Sequence, residues 1–172
     1  MTELQAPDLV NCYLIFCNYR DTALKSNILD LKWCNWIYPT TLLPLGIFIR
    51  KHKSTIEYLP PHDQNVSNYI DLVTGSLRFE EVENRPYIPF VFLPTDRNKS
   101  ISILERIFKL HNNGKEYGGE NAFKYLVSEL VDNIYEHSKF TNAIVMAQRY
   151  DKKKFVEVCF YDDGISIPGS FA

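Results

Sequence analysis

Residues 128–138, SELVDNIYEHS, bring four ionisable side chains and an asparagine into a few turns of a predicted helix. Glu129, Asn133 and His137 are spaced four residues apart, so a helix places them in a stripe on one face. A carboxylate, a carboxamide and an imidazole in line suit a hard divalent cation that carries phosphate, because Mg²⁺ takes few protein oxygens and keeps water or phosphate oxygens for the rest. A nearby glutamate can then orient or deprotonate a water molecule.

The same stripe is also typical of the solvated face of an ordinary amphipathic helix. A second segment favours the chemical interpretation, because the predicted strand over residues 155–161 is followed by Asp162, Asp163 and Gly164. The carboxyl ends of strands that lead into glycine turns are common ligand-binding positions. The helix alone leaves both interpretations open, whereas the helix and the acidic strand end together predict a ligand site.

These two segments resemble the motifs of the GHKL (Bergerat-fold) ATPase superfamily. SELVDNIYEHS is similar to its N-box, E-L-x-x-N-x-x-x-H, and DDGISIP is similar to its G1 box, D-x-G-x-G-I. The order of the motifs and the two strands between them also match, and the resemblance covers roughly residues 99–172. It implies a histidine-kinase-like ATP-binding domain of the Bergerat type, an α/β sandwich with helices packed on one face of a mixed sheet.

The resemblance implies a role for each polar residue of the N-box. Asn133 would bind the Mg²⁺ that bridges the phosphates of ATP, and His137 would lie near those phosphates. Glu129 would be the catalytic residue, either as a general base or by orienting the attacking water.

The resemblance also implies roles in the G1 box. Asp162 would accept a hydrogen bond from the adenine amine, and Gly164 would let the backbone approach the base. Ser166 stands where the superfamily has the second G1 glycine, and it completes the predicted nucleotide-binding residues. The lid and the Gly-rich G2 segment of the superfamily are absent up to Ala172, so little ATPase activity is expected from residues 1–172.

Two helices and three strands are predicted to position these residues. An aromatic strand with prolines, residues 86–94, is expected to be an edge strand or an entry segment. Strands 143–150 and 155–161 flank a short DKKK link, which predicts an antiparallel hairpin. Amphipathic helices are predicted over residues 99–110 and 121–137. Their predicted core positions are Ile101, Leu104, Ile107 and Phe108 in the first helix, and Phe123, Leu126, Val127, Leu130, Val131 and Ile134 in the second.

The first half of the chain alternates strand-like and helix-like segments. A short apolar run, residues 14–16, comes first, and period-two alternation predicts strands over residues 27–33 and 54–59. A helix is predicted between these strands and another over residues 65–73, ending at Gly75. This β-α-β-α order favours a sheet covered by helices. It resembles the STAS-type domain of anti-anti-sigma factors, which implies a docking module.

The helix between the two strands carries its own local signals. Thr40 or Thr41 is its predicted N-cap, and Pro44 falls in its predicted first turn, where a missing amide is harmless. Together the two resemblances predict an α/β (α+β) protein. Residues 1–85 form its STAS-like domain, and residues 86–172 form the N-terminal part of a histidine-kinase-like ATPase domain.

Composition limits the classes of function. The 172 residues carry a net charge of −2, which argues against a nucleic-acid binder. The sequence shows no secretory signal and no membrane-length apolar run, so a cytoplasmic protein that does not enter a membrane is expected. The four cysteines have no zinc-type spacing and are predicted to be free thiols. His52, His62 and His111 are predicted at the surface or in loops.

Two functions remain as hypotheses. The first is an Mg-ATP-binding module of a bacterial-type GHKL ATPase or kinase that takes part in signalling or in a regulatory switch. The alternative is a non-catalytic interaction scaffold on a truncated or degenerate ATPase domain. In that case the open sheet edge would be completed by self-association or by a regulatory protein partner.

Overall fold

The computed structural model describes residues 7–75, 85–112 and 119–165. The chain divides into two compact units, Met1–Leu77 and Arg78–Ala172. Both units combine helices with strands, in keeping with the predicted α/β (α+β) class, and the first sheet is parallel whereas the second is antiparallel. The predicted domain boundary after residue 85 adjoins the segment 76–84, which lies outside the described residues, so that boundary stays a prediction.

The first unit contains three helices and a short two-stranded sheet. Its elements are α1 (Leu9–Ser26), β1 (Ile28–Asp30), α2 (Pro39–Lys51), β2 (Glu57–Leu59) and α3 (Gln64–Thr74). β1 and β2 pair in parallel, with Leu29 opposite Tyr58. The predicted β-α-β-α order is present as β1–α2–β2–α3, although both strands are shorter than predicted. The predicted end of α3 at Gly75 is confirmed.

The sequence did not predict helix α1, which contains the apolar run 14–16. Asp8 caps its first turn, because the carboxylate accepts hydrogen bonds from the N–H groups of Val10 and Asn11 at 3.0 and 3.2 Å. Asn27, in the left-handed region with a φ of 57°, ends the helix. Apolar residues occur on both sides of α1, so no single helical stripe stands out and the run resembles a strand.

Helix α2 begins before its predicted cap. Pro39 is its first residue, so neither Thr40 nor Thr41 is the N-cap. Thr41 is buried instead, and its hydroxyl donates a hydrogen bond to the Cys12 carbonyl in α1 at 2.7 Å. Pro44, predicted for the first turn, lies inside the helix, where its ring removes one backbone donor.

The second unit is built on a three-stranded sheet. Its elements are β3 (Tyr87–Phe92), a 3₁₀ turn (Arg97–Ser100), α4 (Ile101–Leu110), α5 (Glu120–Asn133), a π-helical turn (Ile134–Ser138), β4 (Ala143–Tyr150) and β5 (Phe155–Asp162). Among the described strands the order is β3–β4–β5, which confirms the predicted hairpin and places β3 at an edge as predicted. In place of the predicted mixed sheet, both pairings of the described strands are antiparallel. The short turn at residues 151–154 reverses the chain between β4 and β5.

One apolar cluster holds α4 and α5 against a single face of this sheet. Its buried members are Ile88, Val91, Leu93, Ile103, Leu104, Ile107, Leu110, Val127, Val131, Ile134, Ala143, Val145 and Ala147. The core prediction is wrong for Ile101, Leu126 and Leu130, which are 49%, 60% and 50% exposed. Successive helical residues are rotated by about 100°. Leu126 and Leu130 each precede a buried valine, so both lie on the flank of α5.

His111 lies in the turn after α4, one of its two predicted positions, but it is buried and not at the surface. Only 5% of the residue is exposed, and its ring stacks on that of Phe123 with centroids 3.8 Å apart. The histidine directly follows α4, whose last residue, Leu110, belongs to the apolar cluster. Proximity to that cluster explains the burial.

The four cysteines are free thiols, as predicted. Cys12 and Cys34 are buried, and Cys17 and Cys159 are partly buried. Among the residues that the structure describes, no helix combines the length and the apolar character that a membrane span needs.

Candidate functional site

The candidate site begins where helix α5 changes its winding. Glu129 and Asn133 lie on α5, and His137 lies in the π-helical turn that continues it. A π-helical turn accommodates one extra residue, and such turns are frequent at functional positions. Ser138 closes this turn, because its buried hydroxyl donates to the Ile134 carbonyl at 2.8 Å. The winding of this turn therefore sets where the His137 side chain lies relative to Asn133.

The segment after β5 lies directly against this helix end. The N–H group of Ile165 donates to the Ser138 carbonyl at 2.6 Å. A Cβ atom added to Gly164 would lie 2.6 Å from the Ser138 carbonyl carbon and 2.8 Å from its Cβ, closer than real Cβ contacts allow. The resemblance implies that position 164 is a glycine so that a nucleotide base can approach the backbone. In the structure the close approach of the helix end at Ser138 also requires a glycine at this position.

The two adjacent aspartates at the end of β5, Asp162 and Asp163, have different surroundings. Asp163 accepts hydrogen bonds from the N–H groups of Thr141 and Asn142 at 2.8 and 2.7 Å, and from the Asn142 side chain at 2.7 Å. It therefore fixes the turn that leads into β4. Asp162 accepts through one oxygen from the Gly164 N–H at 3.0 Å. Within the described residues its other carboxylate oxygen has no hydrogen-bond partner.

A cleft of about 450 Å³ lies between the end of α5 and the end of β5. Its volume is in the range of small-molecule sites. The lining residues are Leu130, Asn133, Ile134, His137, Ser138, Phe160, Asp162, Gly164 and Ile165. The structure thus brings together four of the six predicted site residues, from two segments that are distant in sequence.

The other two predicted site residues are not part of the cleft lining. Glu129 is exposed and lies one helical turn before Asn133. Ser166 lies outside the described residues. The sequence missed the apolar lining, because Leu130 was assigned to the core. Leu130 lies three residues before Asn133, and this spacing is the sequence signal that places both side chains on one face of the helix.

One of the two acidic residues that flank the stripe, Asp132, is engaged elsewhere. Asp132 accepts from Arg97, with distances of 2.6 Å from Nε and 2.5 Å from Nη2 to the same carboxylate oxygen. This hydrogen bond raises the pKa of the Arg97 guanidinium. Asp132 therefore ties α5 to the 3₁₀ turn. Glu136 remains at the surface, where its carboxylate lies 3.8 Å from the His137 imidazole.

Asn133 is the cleft residue that fits the predicted Mg²⁺. Its side chain is exposed at the cleft, and a carboxamide oxygen is a hard ligand of the kind that Mg²⁺ accepts. The described residues contain no group of three or more His, Cys, Asp or Glu side chains able to hold a metal ion. A metal held by Asn133 therefore needs ligand oxygens from water or phosphate, as an Mg-nucleotide supplies.

Asp163→Asn is expected to lower the free energy of unfolding at neutral pH and to leave the free energy of unfolding at acid pH nearly unchanged. Hydrogen bonds from Asn142 and Thr141 hold the pKa of the Asp163 carboxyl below its ordinary value of 3.8. A group with a lowered folded-state pKa stabilises the fold above its unfolded pKa, and the stabilisation is lost as pH falls through the folded pKa. Because Asp163 is exposed, solvent screening limits the effect to about 1 kcal/mol.

Urea unfolding at pH 7 and at about pH 2.5 measures this difference. Glu105→Gln, which neutralises an exposed carboxylate on α4 of the same unit, is the control and should show no comparable change. An equal loss for Asp163→Asn at both pH values would contradict the assigned hydrogen bonds.

Comparison with known proteins identifies no relative. No family model matches the chain, and neither the curated proteins nor the solved structures contain a match. The two motifs, the cleft and the hydrogen bonds around it are therefore what define the candidate site.

Proposed function

We propose that the second unit binds Mg-ATP and is a partial Bergerat-type domain of the histidine-kinase-like superfamily. One observation carries the proposal: Asn133 and His137 from the helical motif line the same cleft as Asp162 and Gly164 from the strand-end motif. The packing of α4 and α5 on one face of the sheet supports the same assignment.

Each end of the cleft suits a different part of the nucleotide. The carboxylate oxygen of Asp162 that is not bonded to Gly164 can accept a hydrogen bond from the adenine amine. Leu130 and Ile165 are partly exposed at the cleft and offer apolar surface to a purine ring. At the helical end, Asn133 holds the Mg²⁺ that neutralises the phosphates. His137 lies beside it as a hydrogen-bond donor to phosphate oxygen.

The geometry supports nucleotide binding more directly than turnover. Glu129, the candidate general base, is exposed and outside the cleft lining. A general base must come within hydrogen-bond reach of the water that it activates. Residues 1–172 are therefore proposed to bind Mg-ATP with little hydrolysis or phosphoryl transfer.

The first unit is proposed to be a STAS-like docking module. Its β1–α2–β2–α3 order and its parallel strand pair support this assignment. A nucleotide-binding unit joined to a docking unit suits a regulatory switch. In such a switch, one unit binds a nucleotide, the other binds a protein partner, and both binding events depend on the signalling state.

A non-catalytic interaction scaffold is the second candidate function. The observation that favours it is the exposed apolar surface of α5, where Tyr125 is 64% and Leu126 60% exposed. Exposed apolar patches commonly mark interaction sites. This candidate predicts that the chain gives no heat of ATP binding, whereas the first candidate requires it.

Asn133→Ala is expected to abolish the contribution of Mg²⁺ to ATP binding. The wild-type chain should bind ATP at least about tenfold more tightly with Mg²⁺ than with a chelator, since the metal links Asn133 to the phosphates. In the variant the two affinities should be nearly equal. Isothermal titration calorimetry with ATP, with and without Mg²⁺, measures both affinities.

Asn121→Ala, in the first turn of α5, is the matched control and should behave like the wild type. A wild-type chain that binds no ATP would exclude the proposed function. ATP binding with an unchanged Mg²⁺ effect in Asn133→Ala would exclude only the metal-binding role of Asn133.

A further inference from the structure

A groove of about 550 Å³ in the first unit, which we call the aromatic groove, lies between helix α1 and the loop from β1 to α2. Its lining includes Tyr19 of α1 and three aromatic residues of the loop, Trp33, Trp36 and Tyr38. Trp33 is 81% exposed and Trp36 is 47% exposed. Tryptophan is highly buried on average in folded proteins, so two exposed indoles in one concave surface indicate a binding site.

The aromatic rings of the groove are held at defined angles by their neighbours. The rings of Trp36 and Tyr38 are 6.4 Å apart between centroids and meet at 83°, so they form two nearly perpendicular walls. Tyr69 of α3 stacks on Trp36, with centroids 5.4 Å apart and the planes at 16°. Trp33 lies 5.0 Å from the His62 ring in an edge contact at 75°. Each indole therefore rests against a second ring, which fixes its position.

Hydrogen bonds also hold the backbone of the loop that carries the two tryptophans. The Lys32 N–H donates to the Asp30 carboxylate at 2.9 Å, and the Lys32 carbonyl accepts from the His62 N–H at 3.0 Å. The Cys34 N–H donates to the Leu31 carbonyl at 2.9 Å. Because the loop is already ordered, a ligand of the aromatic groove does not have to offset the entropic cost of ordering it.

The charges at the aromatic groove favour a cation. Among the described residues its lining contains the carboxylate of Asp8 and no Lys, Arg or His, and Lys32 of the loop is not part of the lining. Burial, Cys34 and the Asp30 carboxylate raise the pKa of the Tyr19 hydroxyl, so a second negative charge lies near this wall. The faces of aromatic rings are themselves negatively polarised and attract cations.

We propose that the aromatic groove binds a small molecule with a quaternary ammonium group, of the choline type. Such a group spreads its charge over methyl groups and has no N–H to donate, so aromatic faces suit it better than hydrogen-bond acceptors do. A primary ammonium is strongly hydrated and loses more when it leaves water. The volume of the groove is in the range of small-molecule sites. Since the groove belongs to the first unit, this binding does not depend on the nucleotide proposed for the second.

Tryptophan fluorescence of the full 172-residue chain measures this binding directly, because the chain has two tryptophans and both line the groove. Titration with choline, without nucleotide, should change the emission and saturate with a dissociation constant of about 0.1 to 1 mM. Neohexanol, in which carbon replaces the nitrogen of choline, should bind at least about tenfold more weakly, since it has the shape without the charge. No saturable change up to about 20 mM choline, or equal affinity for both compounds, would overturn the proposal.

Substitution of one tryptophan leaves the other as the reporter. Trp33→Leu should weaken choline binding about fivefold or more, and its 81% exposure means that folding is preserved, which circular dichroism verifies. Trp36→Leu should weaken binding by at least as much, and Trp36→Phe should restore part of it, because phenylalanine keeps an aromatic face. Tyr13→Leu removes an exposed aromatic ring of α1 that is not part of the lining, so it is the matched control and should bind like the wild type. Undiminished binding in Trp33→Leu and in Trp36→Leu would overturn the proposal.

Asp8→Asn tests the charge of the groove without removing the cap of α1, because asparagine and aspartate cap helices about equally well. The affinity for choline should fall about twofold to fivefold, as for an exposed ion pair, and the affinity for neohexanol should stay unchanged. An equal loss for both compounds would contradict the electrostatic role of Asp8. A trimethyllysine peptide that bound at least about tenfold more tightly than choline would overturn the assignment to a free small molecule.

Discussion

Gly164→Ala is expected to destabilise the second unit and to remove ATP binding at the same time. The added methyl group would lie 2.6 and 2.8 Å from the carbonyl carbon and the Cβ atom of Ser138. The obstructing atoms belong mainly to a backbone that is fixed by the hydrogen bond from Ile165 to the Ser138 carbonyl, so they cannot simply rotate away. Overpacking of this kind costs about 1 to 3 kcal/mol.

The same displacement affects the cleft. Gly164 also donates its N–H to Asp162, so a shift of the glycine turns the carboxylate that is proposed to meet adenine. Urea unfolding should show the loss of stability, and calorimetry with Mg-ATP should show a loss of binding in the fraction that remains folded.

Gly119→Ala is the matched control for this substitution. Among the described residues its added methyl group would contact only the Ala122 Cβ atom, at an ordinary 3.9 Å. Gly119 is the N-cap of α5, a position where alanine is less favoured than glycine, so this variant should lose at most about 1 kcal/mol of stability and bind ATP normally. Wild-type stability and binding in Gly164→Ala would show that the strand end and the helix end are not in the close contact described.

The hairpin and the long helix could be predicted because local and tertiary signals agree there. Strand β4 occupies residues 143–150 as predicted, and β5 is only one residue longer than predicted, since both are short runs rich in apolar, β-branched and aromatic residues on either side of a polar turn. Helix α5 is apolar at helical spacing on one side, and that side faces the sheet. Its core face is narrower than predicted: Val127 and Val131 are buried there, followed by Ile134 in the π-helical turn, while Phe123 is only partly buried against the cluster.

The first unit was less predictable for a physical reason. β1 and β2 have three residues each, and their parallel pairing joins segments that are separated by a whole helix. Helix α1 has buried apolar residues on one side and exposed apolar residues, among them Val10, Tyr13 and Leu14, on the other, so its hydrophobic pattern does not show one period clearly.

The site was predictable in its helical half and only partly at the strand end. Spacing of four residues places Asn133 and His137 on one face wherever the helix lies. The sequence cannot separate Asp162 from Asp163, because the groups that bind Asp163 belong to a turn some twenty residues earlier in the chain. Nor can it show that Gly164 lies against Ser138, since that contact exists only after the sheet and helix have packed.

Asp162→Asn is expected to reduce ATP affinity and to remove the preference for ATP over GTP without loss of stability. The proposed hydrogen bond runs from the adenine amine to the carboxylate oxygen of Asp162 that has no partner among the described residues. Guanine presents an acceptor at the same place, so a carboxylate repels it. A carboxamide can turn its nitrogen toward that acceptor, which weakens adenine binding and relieves the repulsion of guanine.

The substitution separates recognition from folding. The introduced carboxamide keeps one oxygen, which can still accept from the Gly164 N–H, so the segment against Ser138 should stay in place. ATP affinity should fall about tenfold to a hundredfold, the cost of losing a hydrogen bond to a charged group. The ATP-to-GTP affinity ratio should approach one, and urea unfolding should be unchanged within about 0.5 kcal/mol.

Calorimetric titrations with Mg-ATP and Mg-GTP measure both affinities, and Asp151→Asn at the far end of the hairpin should match the wild type. If Asp162→Asn bound ATP as well as the wild type and still discriminated against GTP, the base would lie elsewhere in the cleft. A loss of ATP binding together with a loss of stability would instead assign Asp162 to the same structural role as Gly164. Gly164→Ala is expected to lower stability, whereas Asp162→Asn is not. Comparison of the two variants therefore distinguishes a carboxylate that recognises the base from a glycine that positions this carboxylate.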